Sequence, residues 1–184
     1  MAKRTRAGAS LTGGTGDWNP QTYSISETQT AADTLTQATF PTPIPRFGTG
    51  GSTTSPVMEV LKIYFTLDDL PVAVGQISII GWLSTASYVS TITGNAAIND
   101  PRSFAWFSID GIFATGVGFA YESRTYEFDL TDGSGRGLLV ATDSINLGIF
   151  STGSGNANTV RAKILYRMKN ITLQEYVGIV QSQQ

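Results

Sequence analysis

Four cations recur at alternate positions in the last third of this 184-residue chain: Arg161, Lys163, Arg167 and Lys169, with Leu165 filling the gap in their register. Val160, Ala162, Ile164, Tyr166 and Met168 occupy the opposite parity. Successive strand side chains point to opposite faces, so the pattern predicts a long strand with one face in a core and a row of cations on the other. Same-face neighbours on a strand lie about 7 Å apart, close to the phosphate spacing of an extended nucleic-acid strand, and such attraction would be independent of sequence and weakened by salt. An ordinary solvated strand face carries the same pattern. Of the chain's 12 Lys and Arg, three more, Lys3, Arg4 and Arg6, crowd the N-terminus. Flexible basic tails gather polyanions, so these residues join the candidate set. Lys62 and Tyr64 share a parity and would extend the basic face if their strand pairs beside the last one, with Tyr64 offering a stacking platform for a base. Core packing is the commoner fate of such a tyrosine.

Other chemistry is poorly provided for. The chain has no Cys and no His, which removes disulfides, thiolate chemistry, the commonest zinc sites and the usual Ser-His and Cys-His catalytic arrangements. Ser134 and Ser154 each sit between two glycines with no histidine to activate them, and read as turn residues. The stretch Gly13-Gly14-Thr15-Gly16-Asp17-Trp18 lacks the phosphate-loop pattern and its strand-to-helix setting. Asp68 with Asp69, Asp129 with Asp132, and Glu122 with Glu127 can form carboxylate pairs or a calcium site; at strand ends they read first as turn formers. Asn170-Ile171-Thr172 matches a glycosylation sequon that is expected to go unused. No enzymatic activity, cofactor or metal is expected. The most apolar run, Val72 to Leu83, is broken by Gly75, Gln76, Ser78 and Gly81 and falls short of the ~20 residues a spanning helix needs. The basic N-terminus is not followed by an apolar run, so it does not read as a secretory signal.

The elements that must position the cations are strands. Segments 22–29, 57–67, 76–83, 104–113, 119–130, 138–141, 144–150 and 159–169 are rich in β-branched and aromatic residues, with 88–93 a further short candidate. They are separated by turn sequences such as Asn99-Asp100-Pro101, Asp110-Gly111, Asp132-Gly133-Ser134-Gly135 and Gly153-Ser154-Gly155-Asn156. Residues 40–56 read as a Pro- and Gly-rich linker. No stretch reads as a period-3.6 amphipathic helix. The expectation is therefore an all-β chain, a single jelly-roll sandwich of two antiparallel four-stranded sheets. Its expected parts are a mobile basic arm over 1–20, the jelly roll over 21–170 and a C-terminal extension over 171–184. Charged residues make up only 14% of the chain and the formal net charge is −2, far from the ~25% charged residues of a typical soluble domain. A surface so poor in charge tolerates contact with copies of itself, so a homo-oligomer is expected.

Several segments together resemble the capsid proteins of circovirus-like (CRESS-DNA) viruses, small viruses with circular single-stranded DNA. They are Leu11 to Asp17 after the basic N-terminus, Pro43-Ile44-Pro45-Arg46, Val57 to Phe65, Asp129 to Asp143 and Ile164 to Gln184. The resemblance implies a jelly-roll coat subunit of a virion, made and assembled in host cytoplasm or nucleus. It implies an icosahedral shell of about 60 copies. It also implies that the sheet holding the first and last strands faces the lumen, bringing Lys62, Arg161, Lys163, Arg167, Lys169 and the arm to the genome. The chain departs from that family in its arm, which has three cations where a long Arg-rich segment is usual. Within the C-terminal extension, Tyr176, Val177, Ile179 and Val180 are candidates for a subunit interface, with packing on their own subunit the alternative. A different class of function, a lectin-like or fibre-tip module binding glycans through exposed Trp82, Trp106 and Tyr88, is the competing expectation.

Overall fold

The computed structural model describes residues 19–45, 54–68, 75–87, 99–113 and 125–183. Nine strands and one helix are present among them: β1 (Gln21–Thr28), β2 (Leu35–Pro41), β3 (Thr54–Asp68), β4 (Gly75–Ser84), β5 (Ser103–Phe113), β6 (Tyr126–Asp129), β7 (Leu138–Val140), β8 (Ser144–Thr152), β9 (Thr159–Thr172) and α1 (Leu173–Ser182). One sheet has the order β1-β9-β3-β6, with the short β7 also pairing with β3, and the other has the order β2-β8-β4-β5. All pairings are antiparallel. The first four strands thus alternate between sheets, β1 and β3 in one and β2 and β4 in the other, as do β8 and β9, which is the jelly-roll path. The first sheet has five strands rather than four because the segment after β6 returns to pair with β3 a second time.

The inner faces make one core. Ile25, Met58, Val60, Ile63, Phe65 and Ile164 of the first sheet meet Ile77, Ile79, Leu83, Phe107, Leu147 and Ile149 of the second, all buried. Phe107 anchors it, with its ring centroid 5.3 Å from Phe65 and 5.1 Å from Tyr126. Gly81 makes room for that ring, since a β-carbon there would lie 2.3 Å from Phe107 Cε1.

Two findings depart from the sequence reading. β2 lies in a stretch with no strand expectation, and its last residues belong to the segment read as linker; Pro41 is tolerated because β2 is an edge strand. The C-terminal segment is a helix, begun by a capping box in which Thr172 Oγ1 accepts the Glu175 amide and the Glu175 carboxylate accepts the Thr172 amide. The candidate strand at 88–93 and most of 119–125 lie outside the described residues.

A buried polar cluster fixes the turns at one end of the sandwich. Gln29 Oε1 accepts from Ser151 Oγ at 3.0 Å, from the Asn158 amide at 3.1 Å and from Asn158 Nδ2 at 2.9 Å. Asp33, in the left-handed region at φ 56°, accepts the Ser154 amide at 2.8 Å. These bonds tie the β1–β2 turn to the β8–β9 turn. Ser154 is a turn residue as read from sequence, and is also buried within this cluster.

Candidate nucleic-acid interface

The outward face of the β1-β9-β3-β6 sheet carries the expected cations. Directly paired residues of neighbouring strands share a face. The register sets Lys169 opposite Val57, Arg167 opposite Glu59, Leu165 opposite Lys62, Lys163 opposite Tyr64 and Arg161 opposite Thr66. A bulge at Leu61, between Val60 and Lys62, switches the outward parity of β3 from odd to even positions. That switch explains why apolar residues of β3 occupy both parities. It also places Tyr64, like Lys62, on the cationic face.

Most of these cations are already neutralised. Lys62 Nζ lies 2.6 Å from Glu127 Oε1 and 3.3 Å from Asp129 Oδ2, and these partners push its pKa up. Asp129 is held down to about 2, chiefly by the Thr131 hydroxyl and amide and also by Lys62. Arg161 pairs with Asp68. Arg167 Nε donates to Glu59 Oε2 at 2.5 Å, and its Nη2 donates to the Gly135 carbonyl at 2.9 Å. Lys169 Nζ stands 3.8 Å from Glu59 Oε1. The Glu59 side chain is only 1% exposed. Burial pushes its carboxyl up, but the bond from Arg167, the Gly137 amide at 3.1 Å and the charges of Arg167 and Lys169 outweigh burial and hold it below the usual range. The expected row of free cations is thus a mosaic of ion pairs whose acidic partners come from β3 and β6. Asp68, Glu127 and Asp129 are ion-pair partners, while Asp132 is a turn former, accepting the amides of Ser134 at 2.8 Å and Arg136 at 3.0 Å.

Lys163 differs. It is exposed and has no carboxylate partner among the described residues. A cavity of about 750 Å³ opens beside it, lined by Ser24 and Ser26 of β1, Tyr64 and Thr66 of β3, and Arg161 of β9. The cavity also reaches Tyr23, Ile25 and Phe40 beside edge strand β1. Lys3, Arg4 and Arg6 lie outside the described residues.

Helix α1 covers the other end of the same face. Tyr176, Ile179 and Val180 pack on Val57, Ala141 and Ile171, that is, on their own subunit. Gln183 secures the end: its Nε2 donates to the Leu139 carbonyl at 2.6 Å and its Oε1 accepts the Ala141 amide at 3.1 Å, as a paired strand would. Val177 and Leu173 point away from this contact, 51% and 50% exposed.

For the competing glycan reading, Trp82 is 0% exposed, with its ring against Gly148 and beside Ile80, so it cannot meet a ligand. Trp106 is 40% exposed, and Tyr88 lies outside the described residues. Among the described residues there is no cluster of acidic side chains arranged to hold a metal ion, and no helix long and apolar enough to cross a membrane.

No family model and no curated protein matches the sequence. Solved structures do. VP1 of Trichodysplasia spinulosa-associated polyomavirus in complex with 3'-sialyllactose aligns with TM-score 0.52 and 9% identity, covering 86% of this chain and 97% of that one. The same VP1 in complex with GM1 oligosaccharide aligns with TM-score 0.51 and 10% identity, covering 86% and 96%. VP1 of Human Polyomavirus 12 with 3'-sialyllactosamine aligns at TM-score 0.49 and 11% identity, covering 83% and 100%. These neighbours are polyomavirus capsid proteins and do not carry the circovirus-like resemblance. What the chain has in common with them is the fold, a jelly roll.

Proposed function

We propose that the chain is a viral coat subunit without enzymatic activity, which closes with about 60 copies of itself into an icosahedral shell. The observation that carries this reading is the jelly-roll path, which follows VP1 over 86% of this chain and nearly all of that one. The low share of charged residues supports self-association. The segments that resemble circovirus-like capsids favour circular single-stranded DNA as cargo, with the β1-β9-β3-β6 face and the arm Lys3, Arg4 and Arg6 turned to it. Leu173 and Val177, apolar and half exposed, are the parts of the C-terminal segment free to meet a neighbouring subunit, at the end of that face. Tyr176, Ile179 and Val180 support the contact from beneath by fixing α1 on its own subunit.

Electron microscopy of the purified full-length protein tests the coat reading. Closed, uniform particles are expected. Monomers or small rings at every salt and protein concentration would overturn it.

A further inference from the structure

We infer that the cationic face binds a single-stranded nucleic acid at one discrete subsite, centred on Lys163 and Tyr64, rather than along the whole row of cations. This deepens the coat reading and rests on it for the identity of the cargo.

Three observations converge on that place. Lys62, Arg161, Arg167 and Lys169 each face a carboxylate, so a phosphate reaching any of them must first displace an anion already in place. Lys163 carries no such competitor among the described residues and projects from the middle of β9. Tyr64 stands directly across the strand pair from it, half-buried and therefore held in place by its surroundings. The cavity of about 750 Å³ is lined by both of them and by edge strand β1, and its hydroxyls Ser24, Ser26 and Thr66 are donors of the kind that bind phosphate oxygens.

A phosphate at the Lys163 ammonium, hydrogen-bonded by serine hydroxyls, leaves the adjoining base within reach of the Tyr64 ring. Stacking on a tyrosine is tolerant of sequence, as a coat must be. Duplex bases are stacked on one another and offer no free face to Tyr64, so the subsite selects single strands. Arg161 borders the cavity, and both it and its Asp68 partner are partly open to solvent, so the phosphate of the next nucleotide can compete with Asp68 there.

The test is fluorescence anisotropy of the full-length protein with a labelled oligothymidylate of about 20 nucleotides, titrated over a range of salt. Lys163→Gln is expected to weaken binding several-fold and to lower the slope of log affinity against log salt by about one. Tyr64→Leu is expected to weaken binding about tenfold or more with the slope unchanged, while Tyr64→Phe retains affinity. Lys62→Gln, at a cation already paired twice, is expected to change little. Equal losses for Lys62→Gln and Lys163→Gln, or no loss for Lys163→Gln, would overturn the subsite in favour of diffuse attraction or none. A sialylated oligosaccharide that binds in a Lys163-dependent way while the oligonucleotide does not would overturn it in favour of an anionic glycan. Circular dichroism of each variant shows that it is folded. Particle formation is scored separately: shells that form while these substitutions leave DNA binding untouched contradict the subsite alone, whereas DNA binding without shells contradicts the coat reading.

Discussion

Glu59 and Arg167 face each other across β3 and β9, with the guanidinium Nε 2.5 Å from a carboxylate that is 1% exposed. The pair binds the β6–β7 loop to the sheet, because Arg167 also holds the Gly135 carbonyl and Glu59 the Gly137 amide. Removing one member of such a pair leaves the other buried without its partner. Arg167→Gln is expected to cost about 3 kcal/mol of unfolding free energy, whereas Lys163→Gln, at an exposed position, stays within about 0.5 kcal/mol of wild type. Urea denaturation of the two variants measures the difference. It also shows why substituting all four β9 cations together would confound folding with nucleic-acid binding.

Acid should weaken the same lock. Glu59 and Asp129 both titrate below the ordinary carboxylate range in the folded chain. A depressed carboxylate contributes stability that is fully present above its unfolded pKa, about 4, and is lost as pH falls through its folded value. Unfolding free energy measured against pH is therefore expected to be flat above about pH 5 and to decline below it, the Asp129 part persisting to about pH 2. In Glu59→Gln the decline should be shallower, from a lower plateau.

Gly148 lies against the Trp82 indole, where a β-carbon would stand 2.3 Å from the ring. Gly148→Ala should thus cost about 1–3 kcal/mol through overpacking. In a background with Trp18 and Trp106 replaced by Phe, tryptophan emission reports Trp82 alone and should shift to the red along with the lowered denaturation midpoint.

Val177→Glu separates folding from association. The side chain is half exposed and outside the α1 contact with Val57, Ala141 and Ile171. The denaturation midpoint of dissociated subunits should stay within about 0.5 kcal/mol of wild type. The yield of particles by light scattering should fall.

The parts of the fold legible in the sequence are those governed by local pattern. Strict alternation from Thr159 to Lys169 gives the face of β9 directly, and Asn99-Asp100-Pro101 and Gly153 to Asn156 mark the start of β5 and the end of β8, whereas Asp110-Gly111, read as a turn, lies inside β5 and pairs with Ser78 and Ile77 of β4. The mixed parity of β3 is not interpretable locally, because it combines a bulge at Leu61 with the burial of Val57 under α1, both consequences of distant partners. β2, with Leu35, Thr36, Gln37 and Ala38, has too little apolar alternation to stand out. The helix was within reach: Thr172 followed three residues later by Glu175 is a capping box, and Leu173, Tyr176, Val177 and Val180 follow helical spacing. The candidate site was half legible. Parity assigns the cations to one face, but their neutralisation by Glu59, Asp68, Glu127 and Asp129 depends on a register between segments up to 108 residues apart. Only that register singles out Lys163.

In the proposed coat, copies of this chain enclose a cargo with the β1-β9-β3-β6 sheet turned inward. A cryo-electron microscopy reconstruction of the assembled protein tests it most directly. The expected result is a closed shell with Lys163 and Tyr64 facing the lumen and nucleic-acid density beside them. A shell with that sheet on its outer surface, or a protein that stays monomeric, would contradict the claim.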